Sequence, residues 1–165
     1  MNEAFYVLML FILFLLGLIT FFLMLLLIIR VISWSQKKID FPTKLLLSLL
    51  VSVLIFLTLF LNQYYNLNFL PKGVLNTTVS SPNGIYNIET YHFTSIYGEN
   101  AKAVLVNQES GERKTIYFNW YDYDPEVIWL SNREVRIGRE VLDIYNDRYD
   151  YRHDENIESL APQRK

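Results

Sequence analysis

With 165 residues, no cysteine and a net charge of −2, the chain has no basic excess with which to grip nucleic acid and no thiol for disulfides, nucleophilic catalysis or Cys-based zinc sites. Apolar residues make up 52% of it, more than a soluble chain this small needs, and they are gathered at the front rather than spread as a soluble core requires.

Residues 4–29 read AFYVLMLFILFLLGLITFFLMLLLII, with no charged side chain and only Gly17 and Thr20 as interruptions. As a helix this run rises about 39 Å, more than the ~30 Å of a bilayer's hydrocarbon core. It lacks the basic start and small-residue cleavage site of a signal peptide, so it reads as a retained first membrane helix. A second charge-free run, residues 45–61, is extended by Phe41 and flanked by Lys44, with Tyr64 and Tyr65 where an interfacial aromatic belt belongs. It predicts a second helix over about 43–63.

The connection, residues 30–44, carries Arg30, Lys37, Lys38 and Lys44 against Asp40 alone, whereas the leading Met-Asn-Glu has no basic side chain. By the positive-inside rule this loop belongs in the cytoplasm, which places the N-terminus and the whole C-terminal part outside a plasma membrane. The lipid bilayer is thus the first expected partner. Neither run contains an Asp, Glu, Lys, Arg or His, which argues against ion or proton transport. Ser48, Ser52 and Thr58 form a small-residue stripe suited to contact with Gly17 or with a second copy in a homo-oligomer.

From Gly73 onward fifteen acidic side chains outnumber ten basic ones. The texture there is of short strands rich in Val, Ile, Tyr, Phe and Trp. Ser81, Pro82, Asn83 and Gly84 form a structural turn, with Pro fixing one corner and Asn-Gly the next. A strand follows over 85–91. Residues 101–107 and 113–120 make a hairpin around Gln108, Glu109, Ser110 and Gly111. Further strands fall at 126–130, 134–137 and 141–144. Tyr86, Tyr117, Trp120, Trp129 and Leu142 are the expected packed face, and from Arg152 the chain reads as a frayed polar tail. The fold class is therefore a membrane α-helical hairpin (1–70), a small all-β C-terminal domain, antiparallel meander or sandwich-like (71–152), and a flexible tail (153–165).

The stretches PKGVLNTTVSSPNGIYNIETY, KTIYFNW and EVIWL, with LDI and NDRYDYR near the end, resemble an uncharacterised family of small membrane-anchored proteins of Bacillus-like Gram-positive bacteria. The resemblance covers residues 71–152. It departs at Phe118, where relatives carry Trp, and at 94–101, which lacks their Gly-Ala-Thr cluster. It implies architecture and source and adds no chemistry. The Ser-Pro-Asn-Gly turn with a later Trp strand is also similar to one hairpin of a β-propeller blade, present here as a single copy.

Catalytic constellations are missing from the sequence: it has no Gly-rich phosphate loop, nucleophile elbow or zinc-ligand pair, so no cofactor, metal or catalytic residue is expected. His92 has no carboxylate at ligand spacing. His153 lies in an acidic stretch with Asp147, Asp150, Asp154 and Glu155 that lacks the order of a calcium loop and reads as solvated. Tyr121, Asp122, Tyr123 and Asp124 put two phenols and two carboxylates in one bend, the candidate binding surface. The leading expectation is a non-enzymatic, membrane-anchored module that binds a protein, peptide or cell-envelope component. The alternatives are an accessory subunit acting through its hairpin and, behind it, a hydrolase using Asp122 or Asp124.

Overall fold

The computed structural model describes residues 2–37, 40–95 and 98–155, so Lys38 of the basic connection and residues 156–165 of the expected tail lie outside the described residues. The chain forms two compact units, one of Val7–Asn66 and one built from Leu67 onward that also takes in the first residues, through Tyr6.

The helical unit holds α1 (Glu3–Lys37) from Val7 onward and all of α2 (Thr43–Tyr65). Asn2 caps the start of α1, its side-chain oxygen accepting from the Ala4 N–H at 2.9 Å. Helix α1 continues eight residues beyond the apolar run, because nothing between Arg30 and Lys37 breaks a helix and the next proline is Pro42. Large apolar side chains are exposed around both helices, and both are long and apolar enough to cross a membrane.

Several hydroxyls inside the unit are satisfied locally. Thr20 and Ser52 share a hydroxyl hydrogen bond of 2.6 Å between the helices, and Thr20 also donates to the Leu16 carbonyl at 2.8 Å. A Cβ at Gly17 would stand 3.3 Å from the Phe56 ring, so a small residue is needed there. Ser48 and Thr58, by contrast, return their hydroxyls to carbonyls of their own helix, Lys44 at 2.9 Å and Leu54 at 2.8 Å. Of the small-residue stripe, then, Ser52 alone bonds to α1.

From Leu67 onward the regular elements of the described residues are all β apart from two short 3-10 turns, Leu67–Phe69 and Tyr151–His153. Strands β1 (Val74–Ser80), β2 (Tyr86–Ser95), β3 (Gly98–Asn107) and β4 (Arg113–Asn119) form an antiparallel meander. The two-residue β8 (Tyr149–Asp150) joins β4 in parallel, completing a five-stranded sheet in the order β1-β2-β3-β4-β8. A smaller antiparallel sheet holds β5 (Val127–Trp129), β6 (Glu134–Ile137) and β7 (Glu140–Asp143). The two sheets enclose one core: Ile88, Leu105, Ile116 and Tyr117 from the large sheet meet Val135, Ile137 and Leu142 from the small one. The arrangement is a small sandwich made of two meanders. The Trp129 indole N–H donates to the Val79 carbonyl at 3.1 Å, tying β5 to β1.

Local chemistry explains the turns. In the Ser81–Gly84 turn the Ser81 carbonyl accepts from the Gly84 N–H at 2.9 Å, the Ser81 hydroxyl donates to Asn83 at 2.8 Å, and Gly84 takes φ +71° in open space. Asn107 accepts the backbone N–H groups of Glu109 and Ser110, and Gly111 closes that hairpin with φ +71°.

Four of the five residues expected on the packed face join or border this core, but Trp120 does not. It lies past the end of β4 and is 39% exposed. A register shift opposite Ala103/Val104 brings Ile116 and Tyr117, neighbours in sequence, both into the core. Alternation counted through that shift therefore misplaces Trp120. The chain is anchored just ahead of the expected tail. Arg152 pairs with Asp150 at 2.5 Å, and Tyr151 packs on Phe118 with ring centroids 5.0 Å apart.

Candidate functional site

The bend from Tyr121 to Asp124 does not present its four side chains on one surface. Tyr121 is exposed beside Trp120 and Tyr151, at centroid distances of 5.3 and 6.3 Å. Asp122 turns inward and is buried, one of its carboxylate oxygens having no hydrogen-bond partner among the described residues. Burial pushes its carboxyl above the usual carboxylate range, against a hydrogen bond from the Asp124 backbone N–H. Tyr123 stacks on His92 at 4.0 Å, and the exposed Asp124 accepts from Asn76 at 2.6 Å and stands 3.9 Å from His92 Nε2. His92, with no acidic neighbour in sequence, thus acquires one through the fold.

The acidic stretch near the C-terminus spends its carboxylates on protein donors. Asp147 accepts from the Asp143 N–H at 2.9 Å, Asp150 from Arg152, and Asp154 from the Tyr149 hydroxyl at 2.9 Å. Among the described residues no group of three or more His, Asp or Glu side chains could hold a metal ion.

A different constellation occupies the outer face of the large sheet. Its apolar end is packed by Phe93 and Phe118 under Leu67 and Leu70. Beside them opens a cleft of about 520 Å³ lined by Asn68, Lys72, Tyr91, Lys102, Val104, Arg113 and Thr115. The register explains the grouping, since Tyr91 lies opposite Lys102 across β2 and β3, and Val104 opposite Thr115 across β3 and β4. The segment before β1 supplies the rest: the Thr115 N–H donates to Asn68 at 3.4 Å, and the Lys102 ammonium donates to the Pro71 carbonyl.

Charge in this cleft is unbalanced. Glu89 pairs with Arg113 and accepts from the Tyr91 hydroxyl, while Arg113 also donates to that hydroxyl at 2.7 Å. Burial opposes the Glu89 charge, but the hydrogen bonds from Arg113 and Tyr91 outweigh it and hold the carboxyl below its usual range. Lys102 has no such partner. Only 7% exposed, it meets the Tyr91 ring at 5.6 Å and one backbone carbonyl, with no carboxylate in salt-bridge reach among the described residues. Burial, and then the charge of Arg113, push its ammonium down to about 8. Lys72, exposed at the rim, adds a third cation.

The sequence analysis gave these three cations no place in a site. The available signal was Lys102 itself, a lone charge inside the apolar strand Ala-Lys-Ala-Val-Leu-Val.

Two long apolar helices followed by a small two-sheet β unit with a cationic cleft define a helical hairpin with an appended β-sandwich. The chain belongs to the family of unknown function DUF5412, whose model matches residues 38–154. That match takes in α2 and every cleft residue, a wider span than the 71–152 resemblance read from the sequence. No curated protein and no solved structure matches the chain.

Proposed function

We propose that this protein is a membrane-anchored, non-enzymatic binding module whose β unit captures an anionic group of a protein, peptide or cell-envelope component in the Lys72–Lys102–Arg113 cleft. The observation that carries this reading is Lys102, a buried ammonium without a carboxylate. Burying a charge is costly unless it is paired, and a bound anion supplies the pairing that the described residues do not. The cleft is also of the size that takes a small ligand or one group of a larger one. A non-enzymatic role is supported by Asp122 and Asp124, which do not form a pair on one surface, the first being buried and the second exposed.

The two helices serve as the anchor, with the basic connection in the cytoplasm and the β unit outside. The absence of cysteine and the family resemblance support a bacterial plasma membrane. Because the natural chain has no thiol, topology is directly measurable by single cysteines. Ser110→Cys, in an exposed turn, is expected to react with a membrane-impermeant maleimide on intact cells, and Ser35→Cys only after lysis. The reverse pattern would overturn the orientation.

The binding reading is tested by thermal unfolding of the detergent-solubilised full chain with a panel of small carboxylates and phosphates. At least one anion is expected to raise the melting temperature of the natural chain and to leave Lys102→Met unmoved. A panel that shifts neither protein sinks the proposal.

A further inference from the structure

We infer that the anion taken by the cleft is a phosphate monoester, a conclusion that rests on the binding role proposed above. Charge is the first argument. Lys72, Lys102 and Arg113 against Glu89 leave a surplus of two positive charges at the cleft. A phosphate monoester carries about −1.5 to −2 at neutral pH and cancels that surplus, whereas a carboxylate cancels half of it.

Donor geometry is the second. Carboxylates are read best by the planar fork of an arginine, but both terminal nitrogens of Arg113 are already turned to Glu89, one of them at 3.5 Å. What remains are ammonium groups from two separate segments, Lys72 before β1 and Lys102 within β3, with Thr115 on the opposite strand. Lys102 spends one of its three N–H groups on Pro71 and keeps two for a ligand. Donors converging from different segments suit a tetrahedral oxyanion better than a flat one.

Size is the third, because about 520 Å³ leaves room for the alcohol side of the ester beyond the phosphate itself. Such a group occurs on soluble esters and on lipid headgroups. In sequence, Asn68 and Lys72 follow closely on Tyr65, the last residue of α2, so both sources are to be compared. Binding is also expected to weaken as pH rises past about 8, where Lys102 gives up its proton.

The test titrates the full chain by calorimetry with four probes: glycerol 3-phosphate and acetate in detergent, and nanodiscs containing phosphatidic acid or only phosphatidylcholine. The expected result is binding of glycerol 3-phosphate or of phosphatidic acid nanodiscs, weakened at least about tenfold in Lys102→Met and in Lys72→Met and unchanged in Arg136→Gln, a substitution on the small sheet. Response to glycerol 3-phosphate assigns a soluble ester, and response to phosphatidic acid alone assigns a lipid headgroup. Lys72 is exposed, so its variant keeps the test decisive even where Lys102→Met does not fold. Lys102-dependent binding of acetate without either phosphate overturns the phosphate assignment and leaves the anion-binding module standing. No binding of any probe overturns both.

Discussion

Replacing Gly73 by alanine is expected to destabilise the β unit by on the order of 3 kcal/mol. Two costs combine. Gly73 has φ +71°, a left-handed conformation that costs an L-residue about 1–2 kcal/mol. A Cβ there would also stand 2.6 Å from the carbonyl oxygen of His92, a backbone atom in β2 that cannot swing aside. Gly84 is the internal control. It has the same φ of +71° with nothing within 4 Å of a new Cβ, so Gly84→Ala is expected to cost only the conformational part, roughly 1 kcal/mol. Denaturant unfolding of the two variants, followed by tryptophan fluorescence, measures the difference. Equal losses would mean that the close approach of the β1 entry to β2 contributes nothing. The same segment carries Pro71, whose carbonyl receives Lys102, so Gly73→Ala should also disturb the cleft.

Lys102→Met is expected to act in the opposite direction on stability, raising it by on the order of 3 kcal/mol near neutral pH while removing ligand binding. The folded protein holds the ammonium down to about 8, against 10.5 for the free side chain, because burial and Arg113 both oppose the charge. Below pH 8 both folded and unfolded chains carry the proton, and the penalty is constant. Between pH 8 and 10.5 the unfolded chain binds the extra proton, so the folded state gains stability as pH rises. Above about pH 10 the buried phenol of Tyr117, pushed up by burial, acts against that gain, because the unfolded tyrosine ionises first. Methionine keeps much of the lysine stem's apolar volume and removes the charge, so its stability curve should be flat across pH 8 to 10. A natural chain with no rise in that window would show that Lys102 is solvated, and the cleft argument would lose its basis. A lysine kept at such cost fits a site selected for binding rather than for stability.

How much of this was legible in the sequence depends on how local each signal is. The charge-free runs, the Ser81–Gly84 turn and the Gln108–Gly111 hairpin are written in neighbouring residues, and the structure contains all of them. Strand β1 was missed because Val74–Ser80 lies at the sheet edge, exposed along nearly all its length and carrying a register shift between Leu75 and Thr78. It therefore shows no alternation. The cleft was illegible for a further reason. Glu89 and Arg113 belong to strands on either side of β3, and the Pro71 carbonyl has no side-chain signature at all. Only the pairing register brings them together. The bend at Tyr121–Asp124 shows the converse: residues adjacent in sequence are sent by the fold into three different surroundings.

The parallel ladder of β8 on β4, Tyr117 with Tyr149 and Phe118 with Asp150, loops out the entire three-stranded sheet between its partners. Closing so long a loop is entropically slow, so this ladder is expected to zip last. Until Tyr149 and Asp150 have been synthesised, one flank of β4 offers unpaired amides and carbonyls to any neighbouring nascent chain. A premature stop just before Tyr149 would therefore leave a nearly complete but adhesive sheet, more prone to clump than a chain cut short much earlier.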